Sequence, residues 1–300
     1  MYKMHIYRDG ILPTTQQGYY TAGLEILRFD YWVVQLWNHA NLAAPYWRLY
    51  WNREAGAEVQ LREERFALTP ECLLLIAPNT PFTTRFSGAD AGEQTDNLMI
   101  GCPIGEWVKP TRRGGRIVHH FFTHFLAGTP YDTLSAHIFP FTIDNQSREL
   151  IQLILHPMAD NRQQLNRQQS LALCALLHLA LSHVPDELWP SPQTDERIKA
   201  VLNFIDQHFD QRLTNEDFAP IAAMSAKAFV RLFKAHTHQT PLEYLQHKRL
   251  EKASILLHHA NDSIERIAEQ CGFYDRHHFT KLFQRVFGIG PAAYRKRRMP

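Results

Sequence analysis

Along the first half of the chain the apolar positions come in short runs rather than in helical steps. Between about Tyr31 and Phe141 β-branched and aromatic clusters occupy Tyr31–Trp37, Tyr46–Trp51, Glu58–Leu68, Leu73–Ile76, Asn97–Ile100 and Arg116–Phe125, with Gly, Pro, Asn and Asp between them. Many short strands joined by turn residues predict a barrel or a sandwich. After Phe141 the pattern turns helical. Glu149–Leu155 opens one segment that Pro157 kinks or ends, and Gln163–Val184 forms a second, apolar at Leu165, Leu173, Leu176, Leu177, Ala180 and Val184. Because it is apolar on more than one side, this helix is expected to pack both on the barrel and on a partner chain. Pro185, Pro190 and Pro192 around Trp189 then predict an extended linker.

The last hundred residues carry one pattern twice. Phe229-Val230-Arg231-Leu232-Phe233, Pro241 and Tyr244 recur as Phe279-Thr280-Lys281-Leu282-Phe283, Pro291 and Tyr294, each 50 positions later. A short helical segment precedes each copy: Thr214 to Asp217 has capping-box form in the first, and Asp262-Ser263-Ile264-Glu265 opens the second before a turn at Cys271-Gly272-Phe273. A short helix, a tight turn and a second capped helix make a helix-turn-helix. The apolar stripe of each second helix faces inward. Its other face is small and basic: Ser225, Ala226, Lys227, Val230, Arg231 and Lys234 in one copy, and Asp275, Arg276, His277, Thr280, Lys281 and Gln284 in the other. Such faces suit a major groove, with donors for phosphates and guanine edges and nothing bulky to clash. One such helix alone reads equally well as a solvated face; two matched copies favour DNA. Between the units, Thr240-Pro241-Leu242-Glu243 caps a helix running to about His258 that sets their separation. Pro220 breaks the pattern: it falls inside the first helix of the first unit, where a lost hydrogen bond and a strained turn cost about 3 kcal/mol.

The run Ile267-Ala268-Glu269-Gln270-Cys271-Gly272-Phe273, followed by His278-Phe279, Phe283 and Gly288-Ile289-Gly290-Pro291-Ala292-Ala293-Tyr294-Arg295, resembles the signature of the AraC/XylS family of bacterial transcription regulators. The likeness covers about Asp195 to Arg298. It implies two helix-turn-helix units on successive major grooves, activation rather than repression of transcription, a helical dimer interface ahead of them, and RNA polymerase as a partner. The stretch Phe66 to Pro81 is similar, more loosely, to the hairpin of cupin-like effector domains that precede such DNA-binding domains. Many cupins place a metal-binding histidine after this turn and a His-x-His before it. Here Phe82 follows the turn and no His-x-His precedes it. His39, His119, His120 and His124 remain as candidate ligands, but histidines packed on a barrel wall account for them better, so no metal and no cofactor are expected.

Charge sharpens the division. From Asp195 onward there are 17 Lys and Arg against 12 Asp and Glu, net +5; the rest of the chain has 15 against 18, net −3. The basic part is the part with the DNA motif. Cys72, Cys102, Cys174 and Cys271 show no paired or metal-ligand spacing and read as reduced thiols. With no signal-like segment and no apolar run of membrane length, a cytoplasmic protein without membrane contact is expected. Within the early strands Trp37, His39, Tyr46, Arg48 and Tyr50 combine rings with hydrogen-bonding groups, as a pocket for a small polar molecule such as a sugar requires; core packing explains the same residues without a ligand. Trp47 and Arg48 alternate to opposite faces, so they cannot both line it.

The expected protein is α+β: a cupin-like β-barrel sensor over 1–145, a helical dimerisation segment and linker over 146–193, and an all-α double helix-turn-helix domain over 194–300. It is expected to be a non-enzymatic homodimer that binds double-stranded operator DNA and responds to a small molecule. The alternatives are a cupin enzyme with an appended DNA tether and a regulator that needs no ligand.

Overall fold

The computed structural model describes residues 23–86, 98–104, 117–128, 131–134, 136–155, 165–189 and 195–296. Strands β1 (Glu25–Leu42), β2 (Trp47–Asn52), β3 (Ala57–Leu61), β4 (Glu64–Leu68), β5 (Cys72–Ile76), β6 (Phe82–Phe86), β7 (Leu98–Pro103), β8 (Val118–Leu126) and β9 (Ile138–Thr142) form one antiparallel sheet. Its order is β4-β3-β6-β1-β8-β2-β5-β9, with β7 also on β1, and it curls into a nearly closed barrel. The long β1 makes the curl possible by changing neighbours along its length: it pairs with β8 through Val34, with β7 from Trp32 to Asn38, and with β6 from His39 to Leu42. Register shifts between Val34 and Leu36 and between His39 and Leu42 bend it at those handovers.

Alternation sorts each strand between two cores. On β2 and β8 the inward residues are Arg48, Tyr50, Asn52, His120, Phe122 and His124, paired Arg48 to His124, Tyr50 to Phe122 and Asn52 to His120. With Trp32, Val34, Trp37, Val59, Leu74, Ile76 and Phe82 they line the lumen. The outward residues Trp47, Leu49, Leu73, Leu75, Phe121 and Phe125 are buried too, because helices α1 (Asn145–Leu155) and α2 (Arg167–Leu181) lie over that wall. Coverage on both faces explains why β5 reads as a continuous apolar run rather than as an alternating one. The predicted run Glu58–Leu68 is a hairpin, turned at Arg62 with φ 56°, and β6 and β9 lie where no strand was expected.

The helical segment corrects one expectation. Leu173, Leu176 and Leu177 are wholly buried against the barrel and α1, and the buried Gln169 side chain donates to the Ile154 carbonyl at 2.7 Å. These leucines hold the chain's own core and are not free for a partner. The outer face of α2 is marked instead by Leu171, 66% exposed. After α2 a 3-10 turn at Asp186–Leu188 replaces the first part of the extended linker; Pro157, Pro190, Pro192 and the boundary at 193 lie outside the described residues.

Helices α3 (Glu196–His208), α4 (Asn215–Phe218), α5 (Ala226–Thr237), α6 (Pro241–His259), α7 (Ile264–Gln270), α8 (Arg276–Phe287) and α9 (Pro291–Lys296) form the C-terminal part. They surround two separate cores, one of α3 to α6 around Phe218, Phe229 and Phe233, the other of α6 to α9 around Phe279 and Phe283. Helix α6 belongs to both.

Candidate DNA interface and effector site

The sequence repeat is a repeat of geometry. Phe229 and Phe233 meet at 5.5 Å and 60°, and so do Phe279 and Phe283; Tyr244 and Tyr294 each meet the second phenylalanine edge-on, at 5.7 and 5.1 Å. The spacing is not uniform, however. The caps that open α5 and α8, Ser225 and Asp275, are 50 apart, whereas Thr214 and Ser263, which open α4 and α7, are 49 apart. The turns keep the 49 spacing: Met224 N–H donates to Ala219 at 3.0 Å and Phe273 N–H to Ala268 at 2.9 Å, and the left-handed residue is Ala223 (φ 51°) in one and Gly272 (φ 75°) in the other. The extra residue is therefore Tyr274, 80% exposed directly before recognition helix α8. Comparing the two spacings would have singled it out; matching only the motif residues did not.

This alignment puts Pro220 opposite Glu269. Without an N–H at Pro220, the Glu216 carbonyl loses its helical partner and α4 ends at Phe218, one turn against the seven residues of α7. The expected kink is a truncation, and the turn behind it has the same hydrogen bonds as its counterpart. Arg249 of α6 braces this unit, donating from Nε to the Phe209 carbonyl and from Nη2 to that of Gln211, each at 2.6 Å.

The faces expected to meet DNA are open. Lys227, Arg231 and Lys234 on α5 are exposed, with Ala226 partly so and Val230 half-buried on the core. On α8, Arg276, His277, Lys281 and Gln284 are exposed and Thr280 is half-buried. Two of the expected DNA residues are helix caps: Ser225 accepts from Ala228 N–H at 3.4 Å and Asp275 from His277 N–H at 2.8 Å. Arg276 lies 2.5 Å from Glu265 of α7; both side chains are more than half exposed, so the pair is weak.

In the barrel, Trp37, His39, Tyr46, Arg48 and Tyr50 are all buried. Trp37 contacts Tyr50 at 5.6 Å and His120 at 4.3 Å, and the Arg48 guanidinium lies 4.7 Å over Tyr46 and 5.0 Å over Phe82. Trp47 faces the other way and donates to Asp132 at 3.1 Å. Many lumen polar atoms have no hydrogen-bond partner among the described residues: the indole nitrogens of Trp32 and Trp37, His39 Nδ1, Arg48 Nη1, Tyr50 Oη, Asn52 Nδ2, His120 Nε2 and both nitrogens of His124. Burial holds His39 down to about 4 and His120 to about 3, so their imidazoles stay neutral. His119 turns outward to Glu54, 3.0 Å from its carboxylate. Among the described residues no group of three His, Cys, Asp or Glu could hold a metal ion. A cleft of about 530 Å³ opens elsewhere, between the barrel's outer wall and α1, beside Tyr31, Trp51, Arg53 and Arg148; it contains none of the five expected residues.

The barrel and the C-terminal helices touch. Tyr46 Oη lies 3.1 Å from His258 Nδ1 at the end of α6, and His259 packs on Tyr46 at 5.2 Å and on His124 at 5.3 Å. Lys252 of α6 reaches Glu25 of β1 at 3.6 Å.

A nearly closed antiparallel barrel, followed by two helix-turn-helix units on a shared helix, defines a helix-turn-helix protein with an N-terminal barrel. Residues 218–297 match a family profile described as a helix-turn-helix domain. The HTH-type transcriptional activator RhaS of Escherichia fergusonii is 40% identical over 105 residues, which make up 35% of this chain and 38% of that protein. The match thus spans little more than a third of the relative's own length. Among solved structures, a transcriptional regulator with an AraC-type DNA-binding domain from Chromobacterium violaceum is 27% identical over 35% of this chain and 95% of its own, with a TM-score of 0.34. ToxT from Vibrio cholerae aligns over 94% of this chain and all of its own, at 10% identity and a TM-score of 0.46. The C-terminal helices are thus similar in sequence to the helix-turn-helix domain of transcription regulators, an activator among them. Among the described residues no helix is long and apolar enough to cross a membrane.

Proposed function

We propose that this protein is a sequence-specific transcription regulator that activates genes beside its operator when a small molecule occupies the barrel. The observation that carries the reading is the pair of matched recognition helices, α5 and α8, both exposed, both basic and held on one shared helix. The resemblance of its DNA-binding domain to that of a transcriptional activator supports activation, through contact with RNA polymerase. The partnerless polar atoms among Trp37, His39, Arg48 and Tyr50 support a polar effector, since a buried donor or acceptor left unpaired destabilises the fold. The division into sensor, helical dimerisation segment and DNA-binding domain is part of the same proposal, with the homodimer formed through the outer face of α2.

Selection of DNA sites from a random pool by the full chain tests it. A bipartite motif is expected, its halves about one helical turn apart. Enrichment of no motif, or of a single short element, overturns the reading. Turnover of a small molecule by the barrel would favour the enzyme alternative.

A further inference from the structure

We propose that the cleft between the barrel's outer wall and α1 is a second ligand site, for a small organic anion whose acidic head lies between Arg53 and Arg148 and whose apolar body lies against α1. The inference goes beyond the regulator reading and does not rest on it.

Alternation places this site outside the lumen. Tyr50 and Trp51 leave opposite faces of β2, as Tyr31 and Trp32 leave opposite faces of β1. Tyr31 and Trp51 each pair with Phe121 of β8, one from either side, so the three rings share the outer face. Tyr50 and Trp32 belong to the lumen core, whereas Tyr31, Trp51 and Phe121 belong to the core beneath α1 and α2. A cleft walled by Tyr31 and Trp51 is therefore separated from the lumen by the sheet itself. Its volume of about 530 Å³ lies in the range that small ligands occupy.

Charge sets the ligand class. Arg53 and Arg148 line the cleft, and no carboxylate stands among the described residues that line it. The acids nearest in sequence are engaged elsewhere. Asp144, at the helical spacing for an ion pair with Arg148, accepts instead from the Ser147 N–H and hydroxyl, each at 2.7 Å, as a helix cap does. Among the described residues the Arg148 guanidinium has no carboxylate partner. Glu54 accepts from the His119 N–H at 2.8 Å and lies 3.0 Å from its ring, while its distance to Arg53 is 4.0 Å, the outer limit of an ion pair. Like charges on one concave wall with apolar surroundings focus a positive field into it, and an anion is what that field concentrates. Guanidinium groups also present paired N–H donors that match an acidic head.

The rest of the wall sets the shape of the body. Ile143, Ile151 and Leu155 give the cleft an apolar floor. Trp51 donates its indole N–H to the Pro70 carbonyl at 3.0 Å, which leaves its ring as a flat apolar surface for a ligand to lie on. An acid without a body would leave this surface uncovered.

Isothermal titration of the full chain with phenyl phosphate, benzenesulfonate, neutral benzenesulfonamide and inorganic phosphate tests the class. At least one of the two aryl anions should bind at one site per chain, about tenfold or more tighter than the amide, which lacks the charge, and than inorganic phosphate, which lacks the body. The tighter of the two separates a doubly from a singly charged head. Arg53→Met, Arg148→Met and Gln152→Trp test the place. All three positions are exposed, so the variants should melt within about two degrees of the parent. Each arginine variant should weaken the bound anion by about tenfold, the loss of one charge-assisted contact. Gln152→Trp, which fills the cleft from α1, should abolish binding. Equal binding of anion and amide, no binding of either aryl anion, or unchanged affinity in either arginine variant overturns the proposal. So does binding that survives Gln152→Trp, as binding in the lumen would.

Discussion

At the scale of single residues, the two turns solve one steric problem unequally. The left-handed backbone at Gly272 is open to glycine at little cost, and a Cβ there would also meet the Asp210 carbonyl oxygen at 2.6 Å. Gly272→Ala is therefore expected to destabilise the protein by more than about 2 kcal/mol, strain and clash together. Ala223 holds the matching conformation at φ 51° with a Cβ in place. Ala223→Gly should be neutral or stabilising by up to about 1 kcal/mol, the relieved strain being offset by the entropy of glycine. Denaturant midpoints of the two variants check both signs. Equal effects at the two positions would mean that the turns are not equivalent.

At the scale of elements, α5 and α8 present different donors in the same frame. Losing a bidentate arginine should cost about 1–3 kcal/mol at one base pair and relax the preference there. Arg231→Ala and Arg276→Ala are expected to change different halves of the selected motif, whereas Lys281→Ala should weaken all sequences alike and flatten the salt slope by about one unit. An unchanged motif for both arginine variants would move base reading elsewhere, with Tyr274 and the released Glu265 the first groups to examine. Helix α2 makes a second division. Leu171→Glu should yield a folded monomer, because Leu171 stands out of the chain's own core; Leu173→Glu should unfold the barrel, because Leu173 lies inside it. Light scattering together with thermal melts separates these outcomes. A dimeric Leu171→Glu variant would place the interface elsewhere.

At the scale of the whole molecule, the junction between barrel and α6 carries opposed acid–base demands. Burial, with Asp132 and Asp206 nearby, pushes the Glu251 carboxyl of α6 up to about 7 from an ordinary 4.5, and burial pushes Asp132 to about 6. A raised carboxyl keeps its proton better folded than unfolded. It therefore penalises folding as pH rises from about 4.5, fully so above about 7. Burial drives His120 and His259 the other way, to about 3 and about 4, so they penalise folding as pH falls below the ordinary imidazole value of 6.5. Between about pH 4.5 and 6.5 the two demands oppose each other, and Glu251→Gln isolates the first. The variant should match the parent near pH 4 and exceed it by a margin that grows to about pH 7 and is constant above, at most on the order of 3 kcal/mol. Thermal midpoints across that range check it; a constant difference would mean that Glu251 does not titrate across the junction.

The DNA-binding domain was legible from the chain because its determinants are local. Capping boxes, a three-and-four spacing of Phe229, Leu232 and Phe233, and glycine at a left-handed turn act within one or two helical turns, so the sequence alone carries them. The exposed basic faces of α5 and α8 followed from the same periodicity. Tertiary structure decided what depends on neighbours distant in sequence. Strands β6 and β9 form because other strands offer them edges, and α2 spends Leu173 and Leu177 on a barrel wall about a hundred residues before it. Trp37, His39, Tyr46, Arg48 and Tyr50 were read as rings and polar groups, but only the fold shows that all five are buried and that His124 and His259, 135 positions apart, lie 5.3 Å from each other. Helical and turn preferences act between near neighbours, whereas burial and electrostatic pairing are properties of a place in space, which the chain defines only once it has folded.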